Sequence, residues 1–156
     1  MPEPDPVRLL RDERDVRHLA DQLFILTDRK AWSEAQTLFV DGEIDVDMTS
    51  LTGGGPVRMT AAQLFAGFAQ GLHAGKASHH MTTNYDIALD GDRATLWAHG
   101  YAWNRLPGFP GGSDVWETWG HYRLPCARTA AGWRLTGFQY VARYNRGNEA
   151  VRTHTR

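Results

Sequence analysis

The sequence predicts an α+β domain in which a curved antiparallel sheet wraps over about three N-terminal helices to form a cone with a deep pocket. Three observations carry this reading. Apolar stripes at helical spacing and helix-capping signals occupy the first half of the chain. Long alternating runs separated by tight turns occupy the second half. Helices segregated from strands in this way argue for α+β rather than an alternating α/β arrangement. The 156 residues, 42% of them hydrophobic and 22% charged, suit one domain with a core of its own.

Residues 1–11 read as a flexible arm, because Pro2, Pro4 and Pro6 interrupt a helix. From about Asp12 a helix is expected, with Val16, Leu19, Ala20, Leu23 and Thr27 on one stripe and Asp21, Phe24 and Asp28 on the adjoining face. The charged Asp28-Arg29-Lys30 ends it or bends the chain. A short second helix carries Trp32, Ala35, Leu38 and Phe39, with Ser33 and Gln36 spaced as a capping box. Residues 43–51 alternate as a half-exposed strand, with Ile44, Val46 and Met48 on one side. The Gly53–Pro56 loop has no Lys-Ser/Thr after it and is not a phosphate loop. Thr60 and Gln63 cap a third helix bearing Leu64, Phe65, Phe68 and Leu72, which Gly71 and Gly75 bring to an end. From Ala77 to Trp103 the chain reads as a hairpin reversing at Asp90-Gly91-Asp92. The Gly- and Pro-rich stretch 106–113 reads as a lid, a pocket rim or a plain surface loop. Two more strands, 115–124 and 133–144, are joined by a polar turn at 128–132. The single domain is expected to span 12–146, with a polar tail at 147–156.

The bulk numbers exclude several classes. A net charge of −1 gives no footprint for nucleic acid or a membrane surface, and no apolar run reaches the length of a membrane span. The lone Cys126 rules out an intrachain disulfide framework. With a charged, proline-rich start unlike a signal peptide, this predicts a cytoplasmic protein. Six Trp, six Phe and five Tyr imply a very aromatic core or a pocket for a flat, apolar ligand.

Histidine chemistry centres on the hairpin. His79 and His80 are adjacent, so in a regular strand they point to opposite faces and cannot share one ion. His80, His99 and Asp28 could form a two-His-one-carboxylate set, yet no HxH or HExxH spacing supports it, and no metal is expected. Ser78 and Cys126 lack the setting of an activated nucleophile. His18, His73, His121 and His154 read as surface or structural. An imidazole oriented by a carboxylate makes a general acid/base pair. Asp28 is the candidate carboxylate, either buried with a hairpin histidine or solvated beside Arg29 and Lys30. Strict alternation puts His79 on the apolar face with Met81, Thr83, Tyr85 and Ile87, and His80 with Thr82, Asn84 and Asp86.

Three runs together resemble the SnoaL-like families of the nuclear transport factor two-like superfamily. They are DQLFILTDRKAWSEAQTLFVDGEIDVDM, SHHMTTNYDIALDGDRATLWAHGYAW and GHYRLPCARTAAGWRLTGFQY. The resemblance covers about residues 12 to 146. It implies an α+β cone, the fold of scytalone dehydratase, bile acid dehydratase, lindane dehydrochlorinase, ketosteroid isomerase and polyketide cyclases. Within its dehydratase and dehydrochlorinase branch it implies a catalytic Asp28 and His80, with His99 as a second histidine on the return strand. It favours His80 over His79 as the inward residue, which a bulge at the strand start would reconcile with alternation. Thr27 and Met48 fall where scytalone dehydratase has tyrosines, and Trp119 where it has a pocket Asn, so this pocket is expected to be more apolar. Tyr101, Tyr85 or Tyr140 would have to supply a hydroxyl. The resemblance also implies a homo-oligomer, a dimer or trimer through the outer sheet face.

The expected activity is a cofactor-independent lyase of the dehydratase type, or an isomerase, acting on a small apolar, cyclic substrate. His80, oriented by Asp28, would move the proton, and His99 or Tyr101 would polarise a carbonyl or protonate a leaving group. Trp97, Trp103, Trp116, Trp119 and Phe138 would wall the pocket, together with Met48, Phe68 and Asn84. Two alternatives are a non-catalytic binding or assembly module on the same fold, and an epoxide-opening cyclase pairing Asp28 with Asp86 or Glu117.

Overall fold

The computed structural model describes residues 5–156, and the first four residues of the expected arm lie outside them. The first helix, α1, spans Pro6–Arg29, so Pro6 opens the helix rather than spoiling it. At the first helical position proline lacks only an N–H that would be unpaired in any case, and its fixed φ suits the turn. Asp5 caps the helix by accepting a bond from the Val7 amide at 3.0 Å. The expected stripe from Val16 to Thr27 is buried, and Lys30 ends the helix in the left-handed conformation at φ 57°. Asp12 anchors α1 to the far hairpin, accepting from Arg128 at 2.6 Å and from the Trp133 indole at 3.1 Å.

Short helix α2 covers Trp32–Gln36. Its N-cap is Ala31 without a side-chain cap, so the expected box at Ser33 and Gln36 does not form. Strand β1 (Glu43–Asp47) buries Ile44 and Val46 as the alternation requires. It is shorter than expected because a one-turn helix, α3 (Thr49–Thr52), follows. Strand β2 (Val57–Thr60), absent from the sequence reading, pairs with β1. Helix α4 (Ala61–Gly71) starts with the Thr60–Gln63 capping box in full.

Strands β3 (Ala77–Asp90) and β4 (Arg93–Arg105) form the hairpin, turning through Gly91 and Asp92, with Gly91 at φ 58°. They are followed by β5 (Val115–Thr129), short β6 (Gly132–Leu135) and β7 (Gly137–Gly147). The sheet order is β2-β1-β7-β5-β4-β3, with β6 paired to β5. All pairs are antiparallel except β1 with β7, which is parallel. The sheet curls around α1 and α4, and the main core of Val16, Leu23, Phe65, Leu96, Leu124 and Leu135 lies between them.

The polar tail folds back against the rest of the chain. Helix α5 (Glu149–Thr153) buries Val151 completely against Leu106 and Trp116. The buried Lys76 clasps this segment, its Nζ donating to the carbonyls of Gly71 at 2.8 Å, Arg152 at 3.1 Å and His154 at 2.6 Å. Asn148 also holds the 106–113 loop, donating to the Gly111 carbonyl at 3.0 Å and the Ser113 carbonyl at 2.9 Å.

Candidate active site

The face of α1 bearing Asp21, Phe24 and Asp28 meets the inner side of β3. Residues four apart on a helix stand one above the other, so Phe24 and Asp28 together present a ring and a carboxylate to one patch of the strand. His80 sits on that patch. Its ring stacks on Phe24 at 5.6 Å between centroids and 20° between planes. Its Nδ1 lies 2.6 Å from Asp28 Oδ1, while the His80 backbone N–H donates to Oδ2 at 2.8 Å. The Ser78 hydroxyl donates to Oδ1 at 2.9 Å. In the neutral ring, a carboxylate at Nδ1 fixes the tautomer, with the proton on Nδ1 and the lone pair on Nε2. Burial by itself would push the Asp28 carboxyl up, but the His80 ring, its charge and backbone, and Ser78 hold it below the ordinary value.

A bulge settles the rivalry between His79 and His80. Register shifts between Thr83 and Asp86, where Asn84 takes a left-handed φ of 55°. Asn tolerates that region better than most side chains, and the extra residue reverses which side chains face in. Before the bulge Ser78, His80 and Thr82 point inward; after it Tyr85, Ile87 and Leu89 do. Alternation therefore misassigned His79 by carrying the apolar face of Tyr85 and Ile87 across an irregularity in mid-strand. His79 is half-exposed, with Nδ1 3.9 Å from Asp28 Oδ2. Tyr85 turns in beside α1, donating to Asp21, and its hydroxyl lies 2.6 Å from that of Thr82.

His80 lines a cavity of about 170 Å³ at the heart of the cone. Leu23, Phe24 and Thr27 of α1 form one wall and Phe68 and Leu72 near α4 another, while Met48 and Leu51 lie to one side. The sheet contributes Ala102, Asn104, Trp116, Thr118, Tyr122, Phe138 and Tyr140, and α5 contributes Arg152. Two glycines make the floor possible. A Cβ on Gly100 would stand 2.2 Å from Tyr122 Cε2, and one on Gly120 would stand 2.1 Å from the Val141 carbonyl. The Tyr122 and Tyr140 rings pack at 4.6 Å over the space so left. Thr118 and Tyr140 pair their hydroxyls at 2.9 Å.

Of the residues singled out from sequence, the structure brings His80, Thr27, Met48, Phe68, Trp116, Phe138 and Tyr140 to this cavity, with Asp28 behind His80. It places the others elsewhere. Alternation along β4 turns Ala98, Gly100, Ala102 and Asn104 inward, so Trp97, His99, Tyr101 and Trp103 lie on the outer face. His99 is exposed, 3.3 Å from Asn84 at the bulge, and shares no cavity with His80. Trp97 stacks on His121 at 5.2 Å, and His79 tilts against Trp103 at 5.8 Å. Tyr101 donates to Glu117 at 2.6 Å, and Trp119 lies between Tyr101 and Tyr144 on the same outer side. The polar partners for a cyclase fail likewise, since Glu117 faces outward with Arg146 and Asp86 is exposed. Asn104, Thr118, Tyr122 and Arg152 were missed. The signal that could have found the first three was the small-residue side of β4 and its match in β5. The 106–113 loop supplies no lining residue. Among the described residues no three His, Cys, Asp or Glu side chains gather as metal ligands, and none of the helices is long and apolar enough to cross a membrane.

Known structures repeat this architecture. The Kfla4162 protein from Kribbella flavida is 27% identical, with a TM-score of 0.86 over 93% of this chain and 99% of its own. A scytalone dehydratase-like protein from Novosphingobium aromaticivorans is 14% identical, with a TM-score of 0.73 over 89% of each chain. A hexachlorocyclohexane dehydrochlorinase, LinA type 2, is also 14% identical, with a TM-score of 0.72 over 91% of this chain and 92% of its own. The last two share the fold alone at that identity. A comparison with curated proteins finds no match. Sequence and architecture agree at the level of the family: the SnoaL-like domain matches residues 8–139, from the first helix into β7, and the chain belongs to that family.

Proposed function

We propose that the protein is a cofactor-independent lyase of the dehydratase type, or an isomerase, that works on a small, largely apolar cyclic substrate through His80 and Asp28. The observation that carries this reading is the 2.6 Å contact between His80 Nδ1 and Asp28 Oδ1, with the opposite ring edge directed to an apolar cavity. Nε2 is the proton acceptor. When it takes a proton from a carbon next to a carbonyl, the imidazolium that forms is stabilised by the ionised Asp28. Phe24 and the surrounding apolar walls limit water at that point, which strengthens the electrostatic pairing. A non-catalytic module would not require a partly buried carboxylate ordered by three donors behind a histidine with its second nitrogen free. The cyclase reading has weaker support, because among the described residues no carboxyl group lines the cavity and Asp28 reaches it only through His80.

The test is proton exchange. Wild-type protein in D2O should accelerate loss of the α-protons of a small cyclic ketone, followed by NMR. His80→Ala should lower that rate by roughly 10²- to 10⁴-fold, the usual scale for a positioned general base, with the fold intact by circular dichroism. Equal exchange by wild type and variant would remove His80 from the assignment. We further propose that self-association uses the outer sheet face, where Met81 and Tyr144 are more than half exposed beside the outward aromatics. A monomer by light scattering at micromolar concentration would exclude a stable assembly.

A further inference from the structure

Two buried polar groups in the cavity have no use in the proposed proton transfer. Asn104 retains 8% of its exposure and Tyr122 4%, and both line the cavity with His80. Neither the Asn104 amide nor the Tyr122 hydroxyl has a side-chain hydrogen-bond partner among the described residues, although their neighbours do. Thr118 pairs with Tyr140, Ser78 with Asp28, and Thr27 with the Leu23 carbonyl. Among the described residues no fully enclosed side-chain polar atom is left unpaired, so the free groups of Asn104 and Tyr122 face the cavity space. Leaving such groups dry and unbonded is costly, and a buried polar group without a protein partner is ordinarily satisfied by water or a ligand.

Their positions bracket the histidine. In the sheet register Asn104 pairs with Ser78, one inward position along β3 from His80. Tyr122 lies on the other side. Its ring covers Gly100, which pairs with Thr82, and packs on Phe24 at 4.5 Å, the same ring on which His80 stacks. Burial holds the Tyr122 hydroxyl well above the ordinary phenol value, so it is a neutral O–H donor. The Asn104 amide offers two donors and an acceptor.

We propose that Asn104 and Tyr122 form a subsite for oxygen functions of the substrate, placing a carbonyl or hydroxyl oxygen beside His80. This rests on the cavity being the reaction site and names its ligand class: a compact ring bearing oxygen, not a pure hydrocarbon or a halocarbon. Both residues are specificity-determining groups. Their donors would also strengthen as negative charge grows on a carbonyl oxygen during proton removal.

The test is binding, independent of turnover, with phenol and its near-isostere toluene as probes, read by NMR titration. Wild type should hold phenol more tightly than toluene. Tyr122→Phe and Asn104→Leu should each weaken phenol by roughly five- to tenfold, the net scale of one hydrogen bond, while toluene binding holds or improves. His80→Ala should keep the preference for phenol even if it abolishes proton exchange, which separates this subsite from the dyad. Equal affinity of the wild type for the two probes would overturn the proposal without recourse to any variant. So would loss of the preference in His80→Ala alone, or parallel loss of both ligands in the Tyr122 and Asn104 variants.

Discussion

The two faces of β4 and β5 carry opposite chemistries on one backbone. Inward on β4 lie Ala98, Gly100, Ala102 and Asn104, small or polar residues that leave room, and on β5 the inward Thr118 and Gly120 stand between the larger Trp116 and Tyr122. Outward lie Trp97, His99, Tyr101, Trp103, Glu117, Trp119 and His121, large groups that cover one another. A strand facing a filled core carries its bulk inward. A strand facing a cavity does the reverse, because the ligand is to supply the missing volume. The largest aromatics of β4 are therefore its outer skin, and the pocket is marked by where that strand's side chains are small.

Variants on matched positions of the two faces can break that contrast. The largest difference is expected in chemistry. Asp28→Asn, which removes the charge behind His80, should reduce ketone proton exchange by at least about 100-fold, whereas His99→Ala on the outer face should leave it within about twofold. A comparable loss in both would place His99 in the reaction after all.

Stability should follow the same division. In Gly100→Ala the new methyl would meet the Tyr122 ring at 2.2 Å. A ring fixed between Phe24 and Tyr140 cannot step aside freely, so a loss of about 1–3 kcal/mol or more is expected. Tyr101→Phe, which deletes one half-exposed hydrogen bond to Glu117, should cost about 0.5–1.5 kcal/mol or less. Denaturant titration of the two proteins measures both, and an equal cost would contradict the assignment of faces.

The pH dependence of Asp28 gives a smaller effect. Its folded carboxyl is held below its ordinary value, so the unfolded chain takes up the proton first. The stabilisation is complete above the ordinary carboxylate range, near pH 4, and is lost as pH falls through the depressed folded value. The melting-temperature gap between wild type and Asp28→Asn should shrink between neutral pH and about pH 3; a constant gap would show that the charge contributes nothing. The smallest signal is at Cys126, which lies inward on β5 beyond the cavity, with burial pushing its thiol up to about 12. Alkylation of the native protein should be slow and should track unfolding.

Much of this was legible in the chain. The α1 stripe, the Thr60–Gln63 box, the tight turn after Asp90 and the pattern of the late strands read directly, because each depends on neighbours a few residues away. The candidate pair was legible only in part. Asp28 reads as the candidate carboxylate from its place at the end of the first helix, but its pairing with His80 comes from the resemblance, and strand alternation by itself points to His79. The bulge at Asn84 is the physical reason: one residue in the left-handed region inverts every later side chain, and a period-two pattern cannot show where that happens. The β4 aromatics were misplaced for a different reason. Alternation shows that two faces differ, but not which one is inside.

The sequence by itself determined the local elements, the small-against-large alternation of β4, and a supply of acid/base groups. The tertiary structure decided which of those groups meet. It turned the small face of β4 inward, folded α5 under the clasp of Lys76 so that Arg152 joins the wall, and set Asp28 against His80 across 52 residues of chain. Such contacts follow from how the sheet curls on α1, a sum of many packing terms spread along the chain, and no short stretch of sequence contains that sum.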